Sequence, residues 1–137
     1  MTSSKTIIVA LLLGLLIGAV GSYCLGYLAA IAIPKSYFEY FTELSTALFL
    51  LDIIQQFIGV GILGICAGLI LGKVSPSNWI LTSVVCYFGV QLYFFSRSGN
   101  LIFELPWWSL VSLMTLPLCI IIANYLMAHR NIGITRA

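Results

Sequence analysis

GLLIGAVGSYCLG, residues 14–26, sets Gly14, Gly18, Ser22 and Gly26 four apart inside an otherwise apolar run. In water each such glycine weakens a helix by about 1 kcal/mol relative to alanine. In lipid the backbone has no water to bond to, so the helix persists and glycine contributes a smooth groove where another backbone approaches closely. The stretch therefore reads as a membrane-spanning helix carrying a packing stripe. A second stripe lies in GVGILGICAGLILG, residues 59–72, where Gly64, Gly68 and Gly72 are again four apart, with Gly61 beside them. The two stripes sit on consecutive helices, and the simplest expectation is that they face each other.

The whole chain has this character. Its 137 residues are 61% hydrophobic and 7% charged, with a mean hydropathy of +1.12. A soluble domain carries roughly a quarter charged residues, so this chain lacks the polar side chains to cover a watery surface. Crossing a hydrocarbon core of about 30 Å takes about 20 apolar residues. Four segments qualify, at about 6–33, 53–72 (with a possible extension from 37), 79–96 and 107–128. The fold class is thus all-α integral membrane, a single domain over 1–137 built as an antiparallel bundle of four transmembrane helices. The first apolar run is longer than the h-region of a secretion signal and reads as a true span.

Charge sets the expected orientation. With four spans, both termini and the 73–78 turn share one side, where Lys5, Lys73, Arg130 and Arg136 meet no acid. The other side holds Lys35 and Arg97 with Glu39, Glu43, Asp52 and Glu104. The positive-inside bias puts both termini in the cytoplasm, for a multi-pass protein of the cytoplasmic (inner) membrane. Tyr23, Tyr27, Trp107 and Trp108 at the outer level, and Trp79 and Tyr125 at the inner one, fit aromatic belts.

Between the first two spans, KSYFEYFTELSTALFLLDIIQQ (35–56) is too polar for burial and rich in aromatics. It reads as an interfacial amphipathic segment or as an upward extension of the second helix. Glu39 and Glu43, four apart, would share a helical face there. In the fourth span, Pro117 frees the carbonyl near Leu113 and predicts a bend.

Polar residues within the spans mark the candidate site. Asp52, Gln55 and Gln56 share a face by their spacing, and Gln91 and Ser112 fall in the outer halves of the third and fourth spans. Amide and carboxylate groups at such depth face protein or water rather than lipid. One reading is an outward-facing polar pocket lined by Asp52, Gln55, Gln56, Gln91 and Ser112; the other is hydrogen-bonded glue between helices. Toward the inner side Thr82, Ser83 and Asn124 remain, with Ser and Thr able to satisfy their own helix backbone.

Catalytic parts are missing from the sequence. The single histidine, His129, stands beside Arg130 at a helix end, and no nucleophile–base set, acidic pair or phosphate-binding loop is placed to act. Cys24, Cys66, Cys86 and Cys119 each sit in an apolar run without a CxxC spacing and read as small apolar fillers, so no metal or cofactor is expected. The net charge of +2 is too small to attract nucleic acid. The expected partners are the lipid bilayer and a membrane protein, or further copies of the chain. These features imply a non-enzymatic accessory or stabilising subunit of a membrane complex, acting through its glycine zipper. A small oligomeric channel or transporter using the outer polar cluster, and a membrane immunity protein, are the alternatives.

Overall fold

The computed structural model describes residues 4–98 and 107–136, and every regular element among them is helical. Helix α1 is Ser4–Ala30, α2 is Lys35–Glu39, and α3 is Leu44–Gln56. A π-helical turn, Phe57–Gly61, joins α3 to α4 (Ile62–Val74). A 3-10 turn at Pro76–Asn78 leads into α5 (Trp79–Ser98), and α6 (Trp107–Leu113) precedes α7 (Thr115–Arg136). Four helical stretches are long and apolar enough to cross a membrane: Ser4–Ala30, Leu44–Val74, Pro76–Arg97 and Leu110–Asn131. The link at 99–106, which contains Glu104 and Pro106, lies outside the described residues.

Local chemistry explains the boundaries. Helix α1 ends at Ala30, a little before Ile33, where the Ile31 amide closes the last turn on Leu28 O at 3.2 Å. Pro34 then takes an extended backbone (φ −60°, ψ 140°) ahead of α2. The fourth span is interrupted at Met114, three residues before Pro117, as the missing amide requires. There Met114 N bonds Val111 O at 3.1 Å, a tightened turn that accommodates the bend.

Between α1 and the second span the chain does both things the sequence allowed. Lys35–Glu39 forms a short separate helix, and Leu44–Val74 runs as one 31-residue helix. At 1.5 Å per residue that helix is about 46 Å long, longer than a bilayer's hydrocarbon core of about 30 Å. Glu39 and Glu43 do not share a helical face. The first closes α2 and the second is the extended N-cap of α3 (φ −122°, ψ 129°), with the chain reversing between them. Tyr37 pins the two pieces together: its hydroxyl donates to Ala47 O at 2.9 Å, and its ring packs on Phe38 and Phe41 with centroids 5.2 Å away.

The glycine stripes do not face each other. The stripe of α1 lies on α5: a methyl group on Gly14 would collide with the carbonyl of Cys86, and one on Gly89 would come within 2.6 Å of Leu11 O. The stripe of α4 lies on α7. Methyl groups on Gly64, Gly68 and Gly72 would stand 2.8 Å from Leu116 Cδ1, 2.6 Å from Ile120 O and 2.7 Å from Asn124 O in turn. Partner numbers rise together in both seams, so α1–α5 and α4–α7 are parallel pairs. The main antiparallel contacts are those of α1 with the second span and of α5 with α7. Around the bundle the order is therefore α1, α5, α7 and the second span, and the second and third spans touch little although they are consecutive. The reason is complementarity of small residues: α5 presents Gly89 to Gly14, and α7 presents Ala123 and Ala128 to Gly68 and Gly72.

The α1 stripe is also shorter than its spacing suggests. Gly18 abuts the base of Tyr93, 2.7 Å from a methyl placed there, and Gly26 faces open space. Ser22 turns its hydroxyl back to Ala19 O at 2.8 Å and lies 3.5 Å from the Tyr93 hydroxyl. Where α1 does meet the second span, the contact is the π turn. Gly21 packs on the Val60 side chain, and Gly59 receives Leu25 and Leu28. The turn is closed by Ile62 N on Phe57 O, while Phe57 N is shared between Ile53 O and Ile54 O. Gly59 and Val60 of the turn face α1, while Gly64, Gly68 and Gly72 below them face α7.

Candidate functional site

Two of the outer polar residues, Gln55 and Gln91, reach different elements. Gln55, on the last turn of α3, extends its amide to Leu28 O on α1 at 3.5 Å, a weak interhelical bond. Gln91 hydrogen-bonds Tyr87 one turn back on its own helix. Asp52 and Gln56 are half-buried on α3, and Ser112 is buried on α6, 1% exposed. Phe49, near Asp52, stacks on Trp107 of α6 at 5.8 Å between ring centroids. The grooves described below are lined by none of Asp52, Gln55, Gln56, Gln91 and Ser112.

A tighter polar cluster lies at the opposite end. Asn124 of α7 is fully buried and projects onto the first turn of α5. Its Nδ2 lies 2.9 Å from Trp79 O, 3.1 Å from Thr82 Oγ1 and 2.8 Å from Ser83 Oγ. Thr82 and Ser83 donate in turn to backbone carbonyls of their own helix, to Asn78 O or Trp79 O at 3.2 Å and to Trp79 O at 2.8 Å. The amide thus ties α7 to hydroxyls already held by α5. Its Oδ1 is buried and has no partner among the described residues. The spacing of residues 79, 82 and 83 on one helical face was legible in the sequence; that Asn124, 41 residues beyond Ser83, would close on it was not.

Aromatic rings cover this cluster toward the helix ends. Trp79 meets Tyr125 edge-on at 5.1 Å, and Tyr125 lies against His129 at 4.0 Å. The His129 Nδ1 sits 3.1 Å from Tyr125 O. Lys73, His129 and Arg130 are exposed around it, and Asn131 Nδ2 donates to Gly72 O at 3.4 Å near the end of α4. Glu39, Glu43 and Asp52, the described carboxylates, all belong to the α2–α3 end.

Two apolar grooves run along the outside of the bundle. One, of about 340 Å³, lies between α4 and α7 and is lined by Phe57, Ile65, Leu69, Cys119, Ile122, Ala123 and Leu126. The other, of about 160 Å³, lies between α1 and the second span around Ile17, Leu63 and Ala67. Among the described residues no group of three His, Cys, Asp or Glu side chains is placed to hold a metal ion, and all four cysteines are free thiols. Compared with known protein families, curated proteins and solved structures, the chain matches none.

Proposed function

We propose that this chain is a non-enzymatic, bilayer-embedded accessory subunit that stabilises a larger membrane assembly, with its termini on the cytoplasmic side. One observation carries the reading. The glycine seams and the Asn124–Thr82–Ser83 cluster are used up inside the chain, closing it on itself rather than around a polar passage. A transporter needs polar groups converging on an opening, whereas Asn124, Thr82 and Ser83 bond to helix backbone. Less than a third of three of the spans, and under half of the second, is buried within the chain. Most of the helix surface is left to lipid or to a partner.

The glycine stripes are engaged internally, so the proposed contact surface is the 35–51 bracket. Tyr40 is 86% exposed there and Leu44 64% exposed, on a hairpin of helices held rigid by Tyr37. A photo-crosslinking residue placed at position 40 or 44, in cells of the source organism, is expected to capture one defined membrane polypeptide. The same group at Leu12, on the outward face of α1, should capture lipid only. Recovery of an uncrosslinked 15.0 kDa monomer that passes solute across liposomes would overturn the proposal.

A further inference from the structure

The groove between α4 and α7 has a direction. Its α4 wall is Ile65 and Leu69, and Lys73 follows one turn later on the same face. Its α7 wall includes Ile122 and Leu126, and Arg130 follows one turn later on that face. The helices are parallel, with Gly72 seated against Asn124 and Ala128, so the two cations stand at similar depth at the same end. Both are exposed, His129 is beside them, and no described carboxylate shares this end. At the other end Phe57 of the π turn completes the lining. The groove thus extends roughly 18 Å along the helix axis from Phe57 to Leu69.

We infer that this groove holds one acyl chain of an anionic phospholipid whose phosphate rests between Lys73 and Arg130. An apolar slot ending in two unopposed cations matches a lipid in both parts: methylenes against Ile65, Leu69, Ile122 and Leu126, phosphate against ammonium and guanidinium. A partner helix is a poorer occupant. At about 10 Å across it would insert only side chains into the slot, and it would need its own acids opposite the cations. The Asn131 amide on Gly72 O covers one of the terminal carbonyls of α4 that would otherwise repel the phosphate.

The experiment uses the full chain, delipidated in mild detergent and titrated with phosphatidylglycerol or with phosphatidylcholine of the same acyl composition. Bound lipid is counted by native mass spectrometry. Phosphatidylglycerol is expected to bind as a single tight equivalent and phosphatidylcholine much more weakly. Each surface cation contributes about 1 kcal/mol to such attraction, about fivefold in affinity, so Lys73→Gln with Arg130→Gln should weaken binding about 25-fold. Both residues are exposed, so the variant should fold, and circular dichroism checks it. Cys119 lines the groove whereas Cys66 does not, and their alkylation by an apolar maleimide gives a second readout. Phosphatidylglycerol should slow the reaction at Cys119 several-fold and leave Cys66 unchanged. Equal retention of the two lipids, unchanged binding by the double variant, or Cys119 protection that ignores the headgroup would each overturn the inference. So would protection of Cys119 by a co-purifying polypeptide.

Discussion

The two glycine seams look alike in sequence and are built differently. Along α4–α7, Gly64, Gly68 and Gly72 meet the facing helix over three successive turns, the last two against backbone carbonyls of α7. Along α1–α5 the backbones touch closely at one level, where Gly14 and Gly89 face each other; above it Gly18 meets the base of a tyrosine, and Gly26 meets nothing. Both pairs stay close along much of their length. One sets glycine against backbone on two successive turns, with Asn124 locked at its end, and the other does so at one level. A small-residue repeat therefore states how near a neighbour could come. How far along the helix a neighbour is present is a separate property.

This contrast ranks substitutions. The largest effects are expected at Gly14, where even a methyl would collide with the Cys86 carbonyl, and at Gly68, where it would meet Ile120 O at 2.6 Å and Ala123 Cβ at 2.8 Å, none of them able to swing aside. Gly68→Ala should cost about 2–3 kcal/mol in reversible unfolding from detergent, and Gly68→Leu should leave little folded protein. Gly14→Ala should cost at least as much as Gly68→Ala, and Gly89→Ala comes next, at about 1–3 kcal/mol. Gly14 and Gly89 share one contact, so the double variant should cost clearly less than the sum, a test by double-mutant cycle.

Asn124→Leu should cost under about 1 kcal/mol. It removes three interhelical contacts but also an unpartnered buried acceptor, and Thr82 and Ser83 stay bonded to their own helix. At the small end, Gly59→Ala meets only the flexible side chains of Leu25 and Leu28 and should shift stability by a few tenths of a kcal/mol. Gly26→Leu, projecting into open space, should be neutral in the same unfolding assay. If Gly26→Leu proved as damaging as Gly68→Leu, the stripes would be working between chains and the intramolecular seams would not account for the fold.

Part of this was readable before any coordinates. Pro117 announced the break at Met114 because a missing amide acts on its own helix whatever the surroundings. The continuity of Leu44–Val74 was only half readable, since its polar first turns and apolar remainder suit either an interfacial segment or one long helix. The π turn left a faint trace in FIGVG, two glycines among the five residues that follow two glutamines, but what it packs against depends on its neighbours. Among the candidate site residues the sequence marked polarity, yet not the partner of each. Gln55 reaches α1 and Gln91 its own helix, while Asn124, noted only as an inner polar residue along with Thr82 and Ser83, joins two helices.

The number of candidate spans, their approximate ends and the gathering of basic residues at one end follow from the sequence alone. Each is a sum of local transfer and charge terms along one segment. The pairing of helices was decided by tertiary structure. Lipid tails are as apolar as the side chains, so burial does not choose between neighbours; the choice falls to where small residues on two helices coincide. Gly89 opposite Gly14 and Ala123 opposite Gly68 are such coincidences between distant parts of the chain. No repeat within a single helix encodes them.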